Sequence, residues 1–108
     1  MSSNKITSIR IANLAESEDP TIHTMIDYER LKIHGLPEDK DVESKMKYFR
    51  DSQSVGRVKI MHVLEDGPQV AVVFKLIQND SEVVLFVIYG FDDGGRLIEL
   101  WSYQKNNI

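Results

Sequence analysis

The chain has 108 residues, 42% hydrophobic and 28% charged, which suits one domain spanning 1–108 and excludes a disordered composition. A net charge of -4 supplies no general positive field for nucleic-acid phosphates, and the absence of cysteine excludes disulfides, thiolate nucleophiles and thiolate metal sites. No apolar run reaches membrane-spanning length and the opening residues MSSNKITSIR hold no continuous apolar stretch, so a soluble cytoplasmic protein is expected.

The first half of the chain reads as helical. From about Asn4 to Glu16, Ile6 and Ile9 share one face, which Ile11, Leu14 and Ala15 widen. Asp19 followed by Pro20 fits a helix cap with proline at the first helical position, opening a second, short helix with Ile22, Met25 and Ile26 on one stripe. Tyr28 to Ile33 reads as a short strand ending at His34-Gly35. Glu38, Asp39 and Asp41 then open a third helix, where carboxylates suit the helix dipole. Val42, Met46 and Phe49 form its stripe and Gly56 closes it. Phe49 pointing inward would leave Tyr48 near the rim or on the surface.

From Arg57 onward the period is two. Val58, Ile60 and Leu64 alternate with polar side chains, and the runs Val70 to Ile77, Val83 to Phe91 and Leu97 to Tyr103 follow. They are separated by Asp66-Gly67, Asn79-Asp80 and Asp93-Gly94-Gly95. Short turns between successive strands predict an antiparallel four-strand meander. Helices in one half and strands in the other give an α+β class.

The third meander strand is apolar on both faces: Val83, Leu85, Val87 and Tyr89 on one, Val84, Phe86 and Ile88 on the other. Three helices can cover only one face. Leaving Val84, Phe86 and Ile88 in water would forgo about 4–9 kcal/mol, at about 1.5–3 kcal/mol each. A homodimer through this outer face, with Trp101 as an anchor, is the expected cover. The alternative cover is a loop or the polar tail after Tyr103.

The order helix, short helix, strand, His-Gly, helix, four-strand meander resembles the SnoaL-like branch of the nuclear transport factor 2-like superfamily. The closing FDDGGRLIELWSYQ is similar to that branch's pattern of a charged turn, glycine and a basic-aliphatic-x-Glu-x-Trp strand, here Gly95, Arg96, Leu97, Glu99 and Trp101. The upstream LAESEDPTIHTMIDYERLKIHG is similar to the helix-turn-helix that leads into the first strand. The resemblance implies a cone-shaped, strongly curved, mainly antiparallel sheet, the meander plus a short N-terminal strand, wrapped around three N-terminal helices. Isomerases of the superfamily hold a general base at the end of the first strand, which falls at or beside His34, and a protonated acid at the place of Val87. Valine cannot donate a hydrogen bond, and the first helix, with Arg10, Ile11 and Ala12, offers no tyrosine for the other oxyanion donor, so ketosteroid-isomerase chemistry is not implied.

If Val87 faces the cone interior, Leu85, Tyr89, Phe74, Leu76, Ile98, Leu100 and Ser102 face it as well. The candidate ligand-binding set is then His34, Phe74, Leu85, Val87, Tyr89, Leu100 and Ser102, an apolar lining with few polar points that equally suits a filled core. His34 is the candidate acid–base group, because imidazole titrates near neutrality; the plainer reading is a strand-end histidine bonded to backbone. His62 shares parity with Val58 and Ile60 and is either at the pocket or a core or interface histidine, while His23 is expected to be exposed. No histidine pair has metal spacing, so neither metal nor cofactor is expected. Three functions remain open: a small-molecule-binding dimer, a cyclase-, isomerase- or dehydratase-type enzyme using His34 as general base, and an interaction module with a filled cone.

Overall fold

The computed structural model describes residues 3–13, 20–34, 41–51 and 57–106. Helix α1 (Ser3–Ala12), a 3₁₀ helix (Pro20–Met25), strand β1 (Lys32–Ile33) and helix α2 (Val42–Asp51) precede β2 (Arg57–Asp66), β3 (Gln69–Gln78), β4 (Ser81–Phe91) and β5 (Leu97–Asn106). The strands form one sheet in the order β1-β5-β4-β3-β2, antiparallel from β2 to β5, with β1 added parallel to β5. The meander is as the sequence predicts, and the whole is a cone-like α+β fold. The proposed caps at Asp19 and Gly56, and Leu14 to Glu16, lie outside the described residues; the side chains of Ile22, Tyr48 and Phe49 do also.

The helix α1 faces differ from expectation. Ile6 is 46% exposed, whereas Thr7, Ser8, Ile11 and Ala12 are buried. Small side chains let the helix lie close against β3, and their polar atoms are satisfied locally. The Ser8 hydroxyl donates to the Asn4 carbonyl at 2.8 Å. The strand expected over Tyr28 to Ile33 is reduced to two residues, because Asp27 turns the chain: its carbonyl accepts the Leu31 N–H at 2.9 Å. Asp41 caps α2, its carboxylate accepting the Ser44 N–H at 2.8 Å. The Lys45 ammonium then ties α2 to the pre-β1 turn by donating to the Tyr28 carbonyl at 3.1 Å.

One sheet face carries the core. Val70, Val72 and Phe74 of β3, Val87 and Tyr89 of β4, and Leu97 and Leu100 of β5 pack with Ile11, Ile26, Leu31 and Ile33. Two bulges reset the alternation. In β2, Ile60 pairs with Phe74 but His62 with Val73, so Met61 is extra, and His62 and Leu64 move to the outer face, where Leu64 is 67% exposed. His62 therefore does not face the cone, and Val63 takes the inward place. In β5, Leu97 pairs with Phe91 and Glu99 with Gly90, so Ile98 drops out of register and Leu97 is the buried residue.

The turn before β5 is held by Asp92. Its carboxylate accepts the N–H groups of Gly94 at 3.0 Å and Arg96 at 2.9 Å, and Gly95 takes φ +80° to complete it. Arg30 bridges Asp92 and Asp27, so one guanidinium joins the pre-β1 segment to this turn. The Arg30 hydrogen bond holds the Asp27 carboxyl below its ordinary range. The Arg96 N–H, then Arg30, does the same for Asp92, and both carboxylates raise Arg30.

Candidate functional site

Strand β1 is short, but its register decides where His34 goes. Lys32 pairs with Glu99 and Ile33 with Leu100, and the His34 N–H continues the ladder by donating to the Leu100 carbonyl at 2.9 Å. Alternation buries Ile33 under the cone and turns Lys32 and His34 to the outer face. There the His34 ring lies flat on Trp101, with centroids 4.3 Å apart and planes 6° from parallel. Its Nε2 meets Glu99 Oε2 at 2.8 Å. A carboxylate only accepts, so Nε2 carries a proton, and in the neutral ring Nδ1 is then the acceptor. The dyad is about one-third exposed on both sides, open to solvent yet oriented.

Gly90 lies close beside Glu99. It stands opposite Glu99, and a Cβ built on it would come within 3.1 Å of the Glu99 Cβ. The missing side chain leaves Glu99 room to lie across the strand and reach the sheet edge.

A pocket of about 250 Å³ adjoins the dyad, lined by His34, Trp101, Ser102 and Tyr103. By parity Ser102 belongs to the inner face with Val87, and Tyr103 to the outer face with Phe86. They line one pocket because β1 covers β5 only at Glu99 and Leu100, so the hollow wraps the edge beyond.

The expected ligand lining thus divides between two places. His34 and Ser102 meet at the edge pocket. Phe74, Val87, Tyr89 and Leu100 are core residues, 5% exposed or less, and Leu85 packs partly buried against them. His34 is displaced from this interior by the strand alternation that buries Ile33.

The outer face carries the predicted apolar set. Val84, Ile88 and Trp101 are partly buried and Phe86 is 38% exposed; Tyr103, 57% exposed, packs against Phe86 with ring centroids 6.2 Å apart. His23, expected to be exposed, is partly buried, with Nδ1 on the Tyr28 hydroxyl at 2.5 Å. Among the described residues no group of three His, Asp or Glu side chains could hold a metal ion. No described helix is long and apolar enough to cross a membrane.

No family model and no curated protein matches the chain. Solved structures do. An NTF2-like protein of unknown function from Cytophaga hutchinsonii is 14% identical over 97% of this chain and 92% of its own, with a TM-score of 0.71. A steroid delta-isomerase from Pseudomonas aeruginosa is 15% identical over 97% and 82%, TM-score 0.70. The epoxide hydrolase/cyclase-like enzyme SalBIII is 18% identical over 94% and 90%, TM-score 0.69. The fold is nuclear transport factor 2-like. At such identities the likeness speaks to the fold, and the nuclear transport factor 2-like cone hosts chemistry only through the particular side chains it carries.

Within this fold, sequence reasoning isolated His34 but missed its partner. Glu99 reads in the sequence as one more outward residue of β5. The available signal was the parity shared by His34, Glu99 and Trp101, which acts only once β1 is known to lie parallel beside β5.

Proposed function

We propose that this chain is a small-molecule-binding homodimer that holds its ligand beside His34 and joins its twin through the outer sheet face. The observation that supports the ligand site is the His34 imidazole, fixed by Glu99 and flat against Trp101, on the wall of an open pocket. Such a combination of an apolar platform and few oriented polar groups is what small-ligand sites use. The exposed rings of Phe86 and Tyr103, with Val84 and Ile88 between strands, supply the apolar patch for the twin, and Trp101 stands at its border. The protein's one tryptophan, Trp101, provides the assay at a fixed oligomeric state, since it is the only tryptophan whose emission can change. A panel of one- and two-ring aromatic compounds should include members that change Trp101 emission in the native protein. Trp101→Phe, read by ligand-observed NMR, should weaken the same members. A panel in which nothing registers, on a protein that sediments as a monomer at micromolar concentration, overturns the proposal.

A second reading is an enzyme in which His34 is general base. The carboxylate-oriented imidazole favours it, because Glu99 both sets the tautomer and stabilises the imidazolium formed on proton abstraction. The Ser102 and Tyr103 side chains are the candidates to support a developing oxyanion. His34→Ala should then abolish turnover of a cyclic ketone or polyketide analogue. Unchanged turnover removes His34 from the chemistry.

A further inference from the structure

We infer that the His34 pocket selects a flat, single-ring ligand carrying a neutral hydroxyl or N–H donor, and not a carboxylate; this rests on the small-molecule reading of the same site. The polarity of the dyad is the first ground. Glu99 Oε2 accepts the Nε2–H hydrogen bond at 2.8 Å, so the neutral ring offers Nδ1 as an acceptor, and among the described residues nothing bonds to it. A ligand that satisfies an acceptor must bring a donor. Charge is the second ground. Among the described residues the pocket wall, His34, Trp101, Ser102 and Tyr103, holds no permanent cation, while the Glu99 carboxylate stands behind the imidazole. Lys32, opposite Glu99 on the same face, is not part of that wall. A ligand carboxylate would therefore approach an existing negative charge across one imidazole, whereas a neutral donor meets no such penalty.

Shape is the third ground. The His34 and Trp101 rings stack on one another with planes 6° apart, so a ligand ring can extend the stack only on an outer face of the pair. About 250 Å³ lies just under the roughly 300–1,000 Å³ of drug-sized sites, which fits one ring with a substituent rather than a fused polycycle. Tyr103, exposed beside Trp101, closes one side with apolar surface, and Ser102 supplies a second hydrogen-bonding point.

The test compares phenol, anisole and benzoate on the full chain at pH 7.5, by Trp101 fluorescence and ligand-observed NMR. Phenol should bind about tenfold more tightly than anisole, which lacks only the donor, and than benzoate, because a ligand seated over Nδ1 displaces water there and leaves the acceptor unpaired unless it brings a donor. His34→Phe keeps a flat ring on Trp101 but removes the acceptor, so the phenol preference should collapse to within about twofold while anisole binding stays. Glu99→Gln, which keeps the shape of the pair and releases the tautomer, should erode the same preference. Equal binding of phenol and anisole, or a preference for benzoate, overturns the donor assignment and leaves the ligand site standing. No response to any of the three in the native protein takes the site itself away.

Discussion

Val87→Asp places a carboxyl in the core face of β4, and its energetics separate a closed cone from an open one. Val87 is 5% exposed and packs among Val72, Tyr89 and the other apolar residues of the core. Burial disfavours the charged form, so in the folded chain the new carboxyl stays neutral. Keeping an aspartic acid neutral at pH 7, about three pH units above its ordinary titration, costs about 4 kcal/mol at 1.36 kcal/mol per unit. Loss of the valine contacts adds about 1–2 kcal/mol. The total is of the order of a small domain's whole stability, about 5–15 kcal/mol. The sign follows from linkage: a carboxyl raised in the folded state is penalised in full at high pH and relieved as the pH falls toward 4. Urea unfolding at pH 7 and pH 4.5, read as the difference from wild type at each pH, is the assay. Val87→Ala should lose about 1–3 kcal/mol equally at both, as a cavity does. A Val87→Asp loss below about 1 kcal/mol, the same at both pH values, would mean that water reaches the carboxyl, and the closed cone would be refuted.

Three further outcomes are expected. Phe86→Glu sets like charges against each other across a two-fold interface and should turn a dimer into a monomer at about 10 μM in sedimentation velocity. A variant that stays dimeric places the interface elsewhere. Gly90→Ala brings a methyl to about the 3.1 Å found for an ideal Cβ against Glu99, so Glu99 must yield; about 1 kcal/mol of stability and a changed Trp101 emission should follow, and unaltered emission would show the dyad survives. The wild type should lose stability in acid: Asp27 and Asp92 are held below their ordinary titration, so their contribution is complete above about pH 4 and disappears as the pH falls through the lowered values. Arg30→Gln should flatten that acid limb in thermal melts between pH 5 and pH 2, and an unchanged limb would assign the acid sensitivity to other groups.

The strands were legible because each signal was local and redundant. Turn residues at Asp66-Gly67, Asn79-Asp80 and Asp93-Gly94-Gly95 and the period-two runs between them agree with the meander, and the double-faced apolar pattern of β4 is present as read. Parity failed wherever an extra residue entered a strand. Met61 reversed His62, and Ile98 gave its expected place to Leu97; nothing in either run announces a bulge, since both strands stay apolar through it. The face of α1 misled for a different reason. Close packing on the sheet selected Thr7 and Ser8 over the larger Ile6, a preference set by space that hydrophobicity alone does not encode. At the site, the strand end and its histidine could be read, but the face could not, because that depends on a two-residue parallel pairing across 67 positions of sequence.

Nitrogen NMR of the His34 imidazole probes the site most directly. With the ring neutral, the proton should sit on Nε2 as a single dominant tautomer, and phenol should move the Nδ1 resonance while leaving Nε2 nearly in place. A ring protonated on Nδ1, or divided evenly between tautomers, would mean that Glu99 does not orient it, and the site proposed on this outer edge would have no basis.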